Sequence, residues 1–157
     1  MDAVLQRKLP RSNKMSLVEE LKEVMGDVVV FYFRAHGYHW NVEGQDFSQY
    51  HALFESIYED AYGSIDPIAE NIRKLDEYAP FKLESFSKLS SLEDTRVPTD
   101  PRSMAMDLLS ANDAIIQKLS SCFHAANDAD EQGIANYMAE RIDMHQKWRW
   151  QIKASTK

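Results

Sequence analysis

Five side chains of metal-ligating type fall in one short stretch: His39, His51, Glu55, Asp66 and Glu70. Imidazole with carboxylate is the donor set expected for iron or zinc rather than for calcium. At about 100° per residue, His51, Glu55, Asp66 and Glu70 share a sector of about 100° on one helix face. Carboxylates beside a core-facing seam are costly unless paired or metal-bound. The axial spread is the constraint. At about 1.5 Å per residue, His51 and Glu70 lie about 28 Å apart, and Glu55 and Asp66 about 16 Å. One metal centre cannot use both ends of such a helix. Two arrangements remain. Either the clusters are separate and mostly structural, or two antiparallel copies of the helix meet at a two-fold axis. In the second case His51 and Glu55 of one chain face Asp66 and Glu70 of the other, and His39 joins from the end of the preceding helix. An isologous interface of this kind holds two equivalent sites per dimer.

The elements that must position these residues read as helices. Ser16-Leu17-Val18-Glu19 has the form of a capping box. Leu17, Leu21, Val24, Val28, Tyr32 and Ala35 then recur in steps of four and three, and His39 is next in the series. Asn41-Val42-Glu43-Gly44-Gln45 supplies a turn. Asp46, with Gln49 three residues on, is placed to cap a second helix, whose seam runs Phe47, His51, Phe54, Tyr58, Ala61, Ile65, Ile68, Ile72 and Leu75. Pro67 removes one amide and crowds the Gly63 carbonyl, which predicts a kink there. Residues 79–99 read as a long crossover with a turn or two of helix around Leu83–Leu89. Asp100-Pro101 is a strong helix start. Met104, Leu108, Ala111, Ile115, Leu119 and Cys122 mark a third helix, Asn127–Glu131 an acidic turn, and Ile134 to about Ala154 a fourth. No strand alternation and no repeat is visible. The expected fold is all-α: a ferritin-like four-helix bundle with a long crossover between helices two and three and a short extra helix within it.

Length and composition agree with one domain. The chain has 157 residues, 44% hydrophobic and 27% charged, enough for a substantial core. The single cysteine, Cys122, excludes an internal disulfide framework and reads as a small buried side chain. With no apolar N-terminal segment and no run long enough to span a bilayer, the expected compartment is the cytoplasm. The net charge of −7 argues against a protein-wide nucleic-acid surface, yet residues 1–14 carry Arg7, Lys8, Arg11 and Lys14 against Asp2 alone. We read 1–14 as a mobile basic arm and 15–157 as one acidic domain. The Glu-x-x-His signature of intrachain di-iron bundles is absent, which leaves the intersubunit site as the better metal hypothesis.

His39-Trp40-Asn41-Val42-x-Gly44, followed by Phe47, His51, Phe54, Tyr58 and Asp66-x-x-Ala69-Glu70, resembles the core motif of the Dps family of mini-ferritins. Arg141-Ile142-Asp143-x-His145-x-Lys147-x-x-Trp150 looks like that family's final helix, so the resemblance covers about residues 15–155. It implies a twelve-subunit hollow shell that oxidises Fe2+, with hydrogen peroxide as a favoured oxidant or O2 in its place, stores the ferric product and protects against oxidative stress. It implies ferroxidase centres at two-fold interfaces, with His39, His51 and Glu55 from one subunit and Asp66 and Glu70 from the other, zinc being able to stand in for iron. Glu55 departs from the family, whose usual residue there is aspartate, and Pro67 directly follows a ligand. Trp40 adjoins His39, where the resemblance implies that it shields the centre or supplies an electron; packing at the dimer interface is the alternative. His36 has an adjoining or surface role, and His124 and His145 are structural. By the same resemblance Asp128, Asp130 and Glu131 line a three-fold pore that attracts Fe2+, although Asn136 stands where many relatives keep an acid. The basic arm implies non-specific DNA binding through twelve copies. The competing function is a structural, DNA-compacting shell with a weakened metal centre.

Overall fold

The computed structural model describes residues 12–93 and 98–157. The chain forms α1 (Asn13–Asn41), α2 (Phe47–Lys74), the short α3 (Leu83–Leu89), α4 (Pro101–Asp128) and α5 (Gln132–Ser155), with no strand among the described residues. Helices α1 and α2 pair as one antiparallel hairpin and α4 and α5 as another, and α1 packs on α4. The crossover joins the hairpins and lays α3 against α1. This is the expected four-helix bundle, with the extra helix where the apolar group at Leu83–Leu89 placed it.

Each of the four long helices contributes one apolar stripe. Leu17, Leu21, Val24 and Val28 of α1 and Met104, Leu108, Ile115, Leu119 and Cys122 of α4 are all at most 1% exposed, as their spacing requires. The core face of α2 is rotated from the predicted seam. It centres on Tyr50, Phe54, Ile57, Ala61, Ile68 and Ile72, while Phe47, His51, Tyr58 and Ile65 lie on its rim. The seam as written mixed two adjacent faces, because alternating steps of four and three drift around a straight helix of 3.6 residues per turn.

The helix ends differ from expectation in three places. Helix α1 begins at Asn13, not after Ser16: the Ser12 hydroxyl accepts from the Met15 amide at 3.2 Å, and Asn13 Nδ2 donates to the Asp128 carbonyl at 2.7 Å. That bond uses one of the carbonyls left orphaned at the end of α4. Lys14 is therefore an exposed residue of α1 rather than part of an arm, and Arg7, Lys8 and Arg11 lie outside the described residues. Asp46 does precede α2 but makes no side-chain cap; it adopts φ 62°, and Gly44 φ 99°, so the reversal is built from left-handed backbone. The acidic turn is shorter than read, since α4 runs through Asp128 and α5 starts at Gln132, with Asp130 at φ 56° making the corner. Pro67 lies inside α2, which runs continuously from Phe47 to Lys74. Asp100 behaves as predicted, accepting from the Ser103 amide at 2.9 Å with Pro101 in the first turn.

Two polar anchors hold the frame. Asp27 is 1% exposed on α1 and accepts from the Ser90 hydroxyl at 2.9 Å and from the Ser91 amide and hydroxyl, pinning the end of α3 to α1. Close approach there depends on Gly26, where a Cβ would meet Leu89 Cβ at 2.7 Å and the Ser90 nitrogen at 2.9 Å. Across the bundle, Arg141 of α5 grips Asp60 of α2 through two parallel bonds of 2.8 Å, and Trp148 Nε1 donates to the same carboxylate at 2.8 Å. Burial works against ionisation of Asp60, but the bonds from Arg141 and Trp148 outweigh it and hold its carboxyl below the ordinary range. His145 lies wholly buried beside them, exchanging bonds with Asn112: Nδ1 sits 2.7 Å from Oδ1, and Asn112 Nδ2 donates to the His145 carbonyl at 2.8 Å. Its role is structural, as expected. Burial, then the Arg141 charge, pushes its pKa down to about 3.

Candidate metal centre

The five-residue connection between α1 and α2 turns the chain back tightly, so the last turn of α1 faces the second turn of α2. This brings His39 and His51 into contact, their rings stacked at 3.7 Å between centroids and 14° from parallel. Their hydrogen bonds are reciprocal. His39 Nδ1 lies 2.8 Å from the His51 carbonyl oxygen, and His51 Nδ1 lies 2.7 Å from the His39 carbonyl oxygen. A carbonyl oxygen can only accept, so each Nδ1 must carry the proton. Nε2 of each ring is then the free lone pair, the form in which imidazole binds a metal. The local sequence makes this possible. The His39 carbonyl belongs to the last turn of α1 and has no amide four residues on to bind. The His51 carbonyl, inside α2, offers its second lone pair.

Glu55 follows one turn after His51 on the same side of α2 and is exposed. Asp66 and Glu70, again one turn apart, sit farther along the helix and are also exposed, not close to burial as the sequence pattern had suggested. The neighbouring Asp66 carboxyl, through hydrogen bonding and then through its charge, raises Glu70 above the ordinary carboxylate range. A cation beside two neighbouring carboxylates would relieve their repulsion. Among the described residues, no group of three or more His, Cys, Asp or Glu side chains within one chain is arranged to hold a metal ion. The histidine pair and the acid pair are each incomplete, at separate places along α2.

Within one chain Trp40 makes its ring contact with His36 rather than with His39 or His51. It is 62% exposed and packs on His36, with ring centroids 4.1 Å apart. His36 is more involved than its sequence position implied. It stacks on Tyr58 at 3.9 Å and 15°, its Nδ1 lies 2.9 Å from the Tyr32 hydroxyl, and Tyr58 meets His39 edge-on at 5.1 Å. Desolvation, then the neighbouring His39, lowers the His36 pKa. Desolvation, then the Glu55 and Glu59 charges, raises the Tyr58 phenol. The spacing Tyr32, His36, Trp40 along α1 was the available signal for this cluster. Asp128, Asp130 and Glu131 come together at the α4–α5 turn, where the first two are exposed and Glu131 is half-buried. The Cys122 thiol is buried, and burial pushes it up to about 12.

The model of the ferritin-like domain matches residues 18–156. Among curated relatives, the DNA protection during starvation protein of Helicobacter pylori is 26% identical over 141 residues, covering 89% of this chain and 98% of its own length. An uncharacterised protein of Haemophilus influenzae is 28% identical over 148 residues, 94% of this chain and 92% of its own. The crystal structure of a Dps protein from Vibrio cholerae, described as a member of a broad superfamily of ferritin-like diiron-carboxylate proteins, superposes with a TM-score of 0.88 at 26% identity. It covers 92% of this chain and 91% of that one.

Proposed function

The chain belongs to the ferritin-like domain family, with Dps proteins as its relatives, and from that premise we propose that it is a ferroxidase whose centre forms between two copies. His39, His51 and Glu55 of one copy and Asp66 and Glu70 of the other bind Fe2+ as substrate. Hydrogen peroxide is the oxidant: two Fe2+ each give one electron, the O–O bond breaks, and two protons from solvent complete two waters. The ferric product is stored in a shell of twelve subunits. What most supports the reading is the reciprocal bonding of His39 and His51, which holds both imidazoles with Nε2 available. Asp66 and Glu70, one turn apart and exposed on α2, supply the complementary anionic half. The residues present fit iron chemically, and Zn2+ would occupy the same donors.

Because the two half-sites belong to different copies, the test is complementation. Anaerobic Fe2+ followed by peroxide is expected to give stoichiometric oxidation in the wild type and none above buffer in His51→Ala or Asp66→Ala. Shells reassembled from equal parts of both variants should regain about one quarter of the wild-type centres, since half the dimers are mixed and each mixed dimer restores one of two sites. No recovery in correctly sized shells would refute the shared centre, and wild-type rates equal to buffer would refute the ferroxidase.

A second reading, a DNA-compacting shell, rests on the name of the H. pylori relative and on the basic residues Arg7, Lys8, Arg11 and Lys14. Gel shifts of the full chain against a version lacking residues 1–11, which leaves the Ser12 cap of α1 in place, test it. An unchanged shift would exclude the arm as the contact.

A further inference from the structure

We infer that Tyr62 of each copy donates a hydrogen bond to Glu59 of the other, a reciprocal clasp that fixes the register in which the shared centre forms. The inference rests on the two-copy ferroxidase reading and adds two residues which that reading does not use. Facing His51 against Glu70 and Glu55 against Asp66 determines how two antiparallel α2 helices lie. Both pairings share one midpoint, between Asp60 and Ala61, so the two-fold axis passes there. At about 100° per residue, only Glu59 and Tyr62 fall between the half-sites within the helix sector that carries the four ligands. They straddle the midpoint, about 4.5 Å apart along the helix. The operation that sets His51 opposite Glu70 therefore sets Tyr62 opposite the partner's Glu59, twice per dimer.

Both side chains are available to a second copy. Tyr62 is 63% exposed, and Glu59 is exposed beside it. The Tyr62 ring packs beside Tyr32, with centroids 5.2 Å apart. Among the described residues, neither the Tyr62 hydroxyl nor the Glu59 carboxylate has a hydrogen-bond partner.

The chemistry of the sector makes this pairing selective. From His51 to Glu70 its other polar side chains are Glu55, Asp66 and Glu70, which repel their counterparts across the axis until a cation binds. His51 already directs Nδ1 at the His39 carbonyl. Tyr62 is thus the one remaining donor on a face of acceptors, and a phenol bonded to a carboxylate is charge-assisted. Two such bonds hold the facing acids in register before metal arrives.

The experiment exchanges the two side chains between copies and needs no iron. Tyr62→Glu sets glutamate against glutamate at both contacts, and Glu59→Tyr sets tyrosine against tyrosine. Metal-free Tyr62→Glu should dissociate at a subunit concentration about tenfold or more above the wild type's, since a bond to a charged group is worth about that factor. Sedimentation velocity reads the dissociation, and circular dichroism should show unchanged helix content. Mixing Tyr62→Glu with Glu59→Tyr restores tyrosine opposite glutamate at both contacts. Native mass spectrometry should then show assemblies holding the two variants in equal number, as stable to dilution as the wild type. Tyr62→Glu as stable as the wild type, or a mixture without rescue, would overturn the clasp. If either variant loses helix content, Tyr62→Phe, Glu59→Leu and their double replace them. A double no weaker than either single supports the contact, and losses that add overturn it. A wild type that oxidises iron while the losses add would keep the ferroxidase and remove the clasp. Rescue in a protein that oxidises no iron would keep the pairing and remove the ferroxidase.

Discussion

Replacing Asp60 by asparagine should destabilise the bundle severely, although the two side chains have nearly the same shape. Arg141 is 7% exposed and directs both terminal nitrogens at the Asp60 oxygens, and the Trp148 indole takes a further lone pair. Asparagine offers one oxygen and turns an N–H2 group toward either the guanidinium or the indole, so donor faces donor. The guanidinium keeps its charge and loses its counter-charge. Breaking a buried ion pair from one side typically costs about 3–5 kcal/mol. For a chain of this size about 1 kcal/mol corresponds to about 2–4 °C, so the melting temperature should fall by about 6–20 °C. Helices α2 and α5 touch sparsely elsewhere, so this pair is a principal tie for the helix that carries His51, Glu55, Asp66 and Glu70. Thermal unfolding by circular dichroism at one fixed subunit concentration is the assay, because assembly itself makes the midpoint concentration-dependent. An Asp60→Leu/Arg141→Met double variant should recover much of the loss, since an apolar replacement leaves no charge stranded. A drop under about 2 °C for Asp60→Asn, or a double variant as unstable as the two single losses added together, would refute the reasoning.

Three further outcomes follow from the same structure. His145 has a folded pKa near 3 against an ordinary 6.5, so the unfolded chain binds the extra proton between those values. Stability should therefore fall as pH drops below 6.5, by about 1.4 kcal/mol per unit from this group, measured by urea titration at fixed ionic strength; a flat profile from 6.5 to 4.5 would contradict it. Gly26→Ala should force Leu89 and Ser90 off α1, at a cost of about 1–3 kcal/mol, seen as faster amide exchange across α3 with the α4–α5 hairpin unaffected. Cys122, fully buried and with its thiol raised to about 12, should resist alkylation in the native protein and react at once in denaturant; rapid native labelling would show that α4 opens locally.

Much of the fold was legible because its signals are local. The apolar stripes of α1 and α4, the Asp100-Pro101 start and the short helix at Leu83–Leu89 depend only on residues within a few positions of one another. The helix ends were less legible. Ser16 and Ser12 both offer a capping hydroxyl, and the choice of Ser12 goes with a bond from Asn13 to Asp128 at the far end of α4, a partner that no local window contains. Asp46 looked like a cap by type, yet the reversal uses its left-handed backbone instead.

The candidate site divides along the same line. Helical rise and rotation placed His51 and Glu55 at one end of α2 and Asp66 and Glu70 farther along, so their inability to meet within one helix followed from the sequence alone. Only the tertiary structure decided how His39 and His51 face each other, because that depends on the angle at which α1 and α2 leave their five-residue connection. It stacked the rings and set each Nδ1 against the other residue's carbonyl. It also gathered Tyr32, His36 and Tyr58 beside them and joined Asp60 to Arg141 across the bundle. Spacing along one helix is fixed by backbone geometry, whereas contacts between helices are chosen by the packing of all of them together.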